Sequence, residues 1–164
     1  MASLEVEGLD GFIETLNKLE NAGRKISSMA LYDGAAVAAE AVVKAVNALP
    51  TEADRGAPRP GHPYQVITPE DKAALAAAVG IAKFERTGDS VNTSVGIEGY
   101  GGHVEPDYPG GVPMPMIARS IESGSSVRAK HPFFRRAVTG AKGAILSKMN
   151  ETAEKLIKDI TGGN

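Results

Sequence analysis

Two stretches of this chain cannot continue a helix or a central strand, and they decide how the rest can be organised. Residues 50–69 carry five prolines around the centre Ala57-Pro58-Arg59-Pro60-Gly61-His62-Pro63, and residues 99–115 carry five glycines and four prolines. Proline locks φ and removes a backbone donor, and glycine loses the most conformational freedom on ordering. The chain is thereby cut into an amino-terminal, a middle and a carboxy-terminal segment, each long enough for one or two elements. At 164 residues the whole has the size of one domain, able to bury about 70% of its unfolded surface. The expectation is a single domain, 1–164, with extended loops at 50–69 and 99–115.

Periodicity assigns the segments. Leu4-Glu5-Val6-Glu7 alternates as a short strand does, and Gly8 ends it. Leu9, Phe12, Ile13, Leu16 and Leu19 recur at helical spacing, predicting a helix from about Asp10 to Glu20 that Asn21-Ala22-Gly23 breaks. A second helix is expected from Ser27 or Ser28 to Leu49, with the stripe Leu31, Ala35, Ala38, Val42, Val46 and Leu49, stopped by Pro50. In the middle segment Thr68 caps a short helix with Pro69 at its first position. Residues 79–86 and 91–97 then read as two strands of an antiparallel hairpin turning at Gly88-Asp89. Met116 to Glu122 reads as helix. After Pro132 a long final helix follows, carrying Ala137, Val138, Ala141, Ala144, Ile145, Met149, Ala153, Leu156, Ile157 and Ile160 on one stripe. The predicted class is α+β: a small antiparallel sheet packed with helices, a long carboxy-terminal helix and two long Pro/Gly-rich loops.

Composition removes several kinds of chemistry. There is no cysteine, so disulfides, thiolate metal sites and cysteine nucleophiles are excluded. The amino terminus has no basic start followed by an apolar run, and no apolar run approaches the length of a bilayer span, so neither a signal peptide nor a membrane segment is expected. The expected place of synthesis is the cytoplasm. Formal charge is only −2, but it is unevenly spread. Residues 1–127 hold 10 Lys and Arg against 17 Asp and Glu, a net of −7; residues 128–164 hold 8 against 3, a net of +5. An acidic body with a basic tail can pair within a chain or between neighbouring chains.

Few residues invite catalysis. His62, His103 and His131 lie far apart, each beside Pro or Gly, without the i, i+4 spacing of a helical metal pair. No G-x-S-x-G elbow occurs. Gly99-Tyr100-Gly101-Gly102 follows a strand, but Pro106 and Pro109 stand where a phosphate loop needs a helix start. Glu70 and Asp71 suit the dipole of the helix they open. No catalytic residue, cofactor or metal is expected. The cluster Arg128, Lys130, Arg135 and Arg136 is harder to dismiss, because cations at a helix start oppose its dipole. It reads either as a solvated face or as a surface for an anionic partner. Phe133 and Phe134 beside it read as anchors buried under the helix rather than as a base-stacking stripe.

The stretch Ile117-Ala118-Arg119-Ser120-Ile121-Glu122-Ser123-Gly124-Ser125, followed by His131-Pro132-Phe133-Phe134-Arg135-Arg136-Ala137, resembles the signature of the head–tail joining proteins of tailed phages. These are the neck or minor tail-component proteins of lambdoid long-tailed phages, the gene-product-ten family. The opening Val6-Glu7-Gly8-Leu9-Asp10 and the strand Gly80-Ile81-Ala82-Lys83-Phe84-Glu85-Arg86 are similar to members of that family too. The chain departs from it at Lys72-Ala73-Ala74-Leu75, where members carry Thr-Gly before the leucine. The resemblance implies a small α+β structural protein that assembles as a ring, six subunits being one count such a ring could have. It would sit between the capsid portal and the tail tube, with head-completion and tail-tube proteins as its partners and the virion as its location. It implies no membrane and no sequence-specific nucleic acid, and it brings no catalytic residue.

On this reading Glu122, Gly124, Pro132, Phe133 and Phe134 are structural anchors that launch the last helix. Candidate assembly contacts are Arg128, Lys130, Arg135, Arg136, Tyr100, Tyr108, Glu14 and Glu20, with the two loops exposed in a free subunit and ordered in the assembly. Two other expectations compete: a nucleic-acid-binding module built on the basic start of the last helix, and a small hydrolase with a histidine site.

Overall fold

The computed structural model describes residues 9–51, 67–88, 90–101, 104–126 and 128–162. The expected strand at Leu4–Glu7, the centre of the first Pro-rich stretch, His62 and His103 lie outside them. The described residues form an α+β fold. Helix α1 (Leu9–Asn47) is followed by α2 (Pro69–Ala77), short strands β1 (Val79–Ile81), β2 (Glu85–Thr87), β3 (Ser90–Asn92), β4 (Val95–Ile97), β5 (Tyr100–Gly101) and β6 (Val112–Pro113), then α3 (Met114–Ser123) and α4 (Phe134–Thr161).

The first difference from expectation is α1. It runs unbroken for 39 residues, so Asn21-Ala22-Gly23 does not divide it and Ser27 and Ser28 are not caps. A lone glycine costs a helix only about 1 kcal/mol, less than the strongly helix-forming residues on either side supply together. At about 1.5 Å per residue the helix is roughly 58 Å long.

Helix α4, 28 residues long, runs antiparallel against it. The register follows from Thr152, whose hydroxyl donates to the Asp33 carboxylate at 2.6 Å, and from Gly34, which faces Met149 and Ile145. A Cβ at Gly34 would stand 2.5 Å from Met149 Cγ, so glycine is what lets the two helices approach this closely. The alanine-rich stripe of α1 serves the same end. Judged by length and hydropathy rather than by uninterrupted apolar runs, Ile13–Asn47 is long and apolar enough to cross a bilayer, contrary to expectation. Alanine supplies much of that apolarity, and Ala30 and Ala38 are buried.

The main core lies at one end of this helix pair. Val42, Val46 and Leu49 of α1, Ile67, Leu75 of α2, Val112 of β6, Met114, Ile117 and Ile121 of α3, and Phe133 before α4 form one buried cluster. Thr68 caps α2 as expected, its hydroxyl accepting from Asp71 N at 3.1 Å with Pro69 in the first turn. Asp71 itself is fully buried, not merely a solvated acid at a helix start.

The hairpin is not one continuous ladder. Val79, Gly80 and Ile81 pair with Ile97, Gly96 and Val95, whereas Glu85, Arg86 and Thr87 pair with Asn92, Val91 and Ser90. Three residues, 82–84, thus oppose two, 93–94, which is a bulge. Ala82 N donates to Ser94 O at 2.8 Å, and Thr93 Oγ1 donates to Ala82 O at 2.9 Å, closing the gap.

Residues 99–115 also depart from a free loop. β5 and β6 pair, Tyr108 N donates to Glu105 O, and Val112 and Met114 are buried. This loop is expected to be exposed in a free subunit, but two buried residues at its far end anchor it. Gly111, at φ 94°, faces the Gly101 backbone so closely that a Cβ would meet Gly101 N at 2.9 Å. Helix α3 consequently starts at Met114, two residues before the expected Met116.

Candidate assembly surfaces

Helix α4 begins without a capping side chain of its own, because Phe133 occupies the N-cap position. The first N–H groups of a helix lack intrahelical partners and need one. Glu122, near the end of α3, supplies it: its carboxylate accepts from Phe133 N at 2.7 Å, Phe134 N at 2.9 Å and Arg135 N at 3.3 Å. The chain reaches this geometry because Gly124 closes α3 at φ 78°, with Lys130 Cβ only 3.2 Å from where a Cβ would be. Ser125 and Arg128 exchange backbone hydrogen bonds, and His131 N donates to Ile121 O at 2.7 Å. A negative carboxylate against the positive end of the α4 dipole also offsets the nearby cations. Phe133 is 4% exposed and meets Phe134 edge-on, centroids 6.3 Å apart; Phe134 is half-buried.

The basic cluster does not present itself as one exposed patch. Arg128 is buried, whereas Lys130, Arg135 and Arg136 are exposed. Burial of a long cation behind a tight turn leaves no signature in sequence, since it depends on what the fold packs over it. Lys130 and Arg136 border a groove between the end of α1 and the start of α4, whose apolar wall includes Ala48, Leu49, Phe133 and Ala137. This groove, about 910 Å³ with its open mouth, was not legible in the chain.

Glu14 and Glu20 are exposed near the other end of α1. Glu14 pairs with Lys18 one turn on at 2.7 Å, and the hydrogen bond from that ammonium, with its charge, holds the Glu14 carboxyl below its ordinary value. Arg24 and Lys25 follow within about a turn of Glu20, so the described part of this region is mixed in charge rather than acidic. Tyr100 is 73% exposed, but Tyr108 packs against the core and has less surface to offer.

The chemistry-bearing side chains of the described residues do not converge. Among the described residues no three His, Asp or Glu side chains group as metal ligands. His131 is half-buried in the groove wall, and among the described residues its enclosed Nε2 has no hydrogen-bond partner. Compared with protein-family models, with curated proteins and with solved structures, the chain matches none.

Proposed function

We propose that this chain is an assembly subunit, and that it works as a ring-forming connector between head and tail in a tailed phage or prophage. The observation that carries the assembly part is the placement of unlike surfaces at opposite ends of one long helix pair. A half-exposed apolar ridge with Glu20 lies at the amino end of α1, and the apolar groove bordered by Lys130 and Arg136 lies at the other. Unlike patches on opposite poles favour a head-to-tail contact, which closes into a ring when the rotation permits. The phage part rests on the resemblance at Ile117–Ala137. Within that stretch Glu122, Gly124 and Phe133 each have a defined structural task.

Light scattering and negative-stain microscopy on the full chain test this. The expected result is a discrete closed oligomer. A strict monomer at the highest soluble concentration, with DNA affinity falling steeply as salt rises, would replace this reading by the nucleic-acid-binding one.

A further inference from the structure

Helix α1 outruns its partner. Thr152 meets Asp33, and α4 ends nine residues later at Thr161, which therefore stands opposite about residue 24 of α1. The face of α1 that packs on α4 continues past that point. Ile13, Leu16 and Glu20 follow one another at i, i+3 and i+7, on the same face as Gly34 and Ala38 by helical periodicity. Ile13 is 46% and Leu16 48% exposed. Ser27, Arg24 and Glu20 make this face polar near the end of α4, and at Leu16 and Ile13 it is apolar again; nothing else in the described part of the chain lies over these two side chains.

We infer that this ridge docks in the groove between α1 and α4 of a second copy of the chain. The inference rests on the self-assembly reading above and names the contact that reading lacks. The groove offers an apolar wall, Leu49, Phe133 and Ala137, for Ile13 and Leu16. Its exposed Lys130 and Arg136 have no ion-pair partner among the described residues, and neither has Glu20, the acid on the ridge itself. The groove takes a few side chains and not a whole helix, which suits a ridge of three residues. The ridge cannot fill its own chain's groove: Leu16 and Ala48 stand about 48 Å apart along α1. The contact is thus between unlike surfaces and propagates from copy to copy. A ridge of three residues in one groove is a small contact, so closure of the ring supplies further stability through effective concentration.

The cysteine-free chain allows a direct test. A disulfide needs Cα atoms within about 7 Å, so in a Leu16→Cys, Ala48→Cys double variant any disulfide joining those two positions is intermolecular. Mild oxidation of the full chain should give a ladder of dimer, trimer and higher species, and each single-cysteine variant should give far less. A Leu16→Cys dimer as abundant as the ladder would overturn the inference in favour of a two-fold contact between ridges. Sedimentation velocity supplies the second readout. Glu20→Lys and Arg136→Glu should each weaken association at least tenfold, and their combination should recover most of it, with circular dichroism melting unchanged throughout. Wild-type-like association of both single variants would sink the docking contact while leaving the self-assembly reading intact. A monomeric wild type would end both.

Discussion

Removing the Glu122 carboxylate should destabilise the fold more than any other substitution of an acid outside the buried core. Helix α4 starts with Phe133 at its N-cap, which has no capping oxygen, and the described structure gives its first N–H groups Glu122 instead. Two of the three hydrogen bonds are short, 2.7 and 2.9 Å, and the third is 3.3 Å. Loss of an ordinary N-cap costs about 0.5–2 kcal/mol. A hydrogen bond to a charged acceptor contributes about 1.5–3 kcal/mol, and bonds to one carboxylate do not add in full. Partial exposure of Glu122 lets water replace some of what is lost, so Glu122→Ala is expected to cost about 2–4 kcal/mol. At about 2–4 °C per kcal/mol for a chain of this size, the melting temperature should fall by roughly 4–16 °C. Glu122→Gln keeps an acceptor oxygen but loses the charge, and should show about half the effect. Urea unfolding followed by circular dichroism measures both. The control is Glu151→Ala, which removes an exposed pair with Lys148 and should stay within about 0.5 kcal/mol of wild type. If Glu122→Ala matched that control, the carboxylate would not be holding the start of α4.

Phe133→Ala should cost about 3–5 kcal/mol in the same assay, because a buried aromatic ring between α3 and α4 leaves a cavity when removed. Gly111→Ala should destabilise severely, with loss of protease resistance at residues 99–115, since its φ of 94° disfavours a side chain and the Gly101 backbone occupies the Cβ position. Lys18→Ala should return the Glu14 carboxyl to its ordinary value, read by NMR titration, because the Lys18 hydrogen bond and charge are what lower it. The sign follows from linkage. A depressed folded-state value adds stability above the unfolded value, and this is lost as pH falls through the lowered one. Wild type and Lys18→Ala should therefore converge in strongly acid solution.

Local chemistry determined much of this protein before any packing was known. Thr68 and Pro69 start α2, Gly124 ends α3, and Pro132 precedes α4, because caps and breakers act through their own backbone and nearest neighbours. The turn between β2 and β3, with Gly88 at φ 61°, was legible for the same reason. Only the tertiary structure decided what depends on distant partners. Asn21-Ala22-Gly23 reads as a break, yet α1 passes through it, since a weak local preference loses to a long run of helical hydrogen bonds. Arg128 belongs by sequence to a basic surface and by structure to the interior. The bulge at residues 82–84 and the anchoring of Val112 and Met114 depend on cross-strand and core contacts that no local pattern encodes. The ridge at Ile13 and Leu16 shows the same division. Its apolar spacing stands in the sequence, but that it lies uncovered follows only from where α4 ends, a length difference between two helices joined through the whole fold.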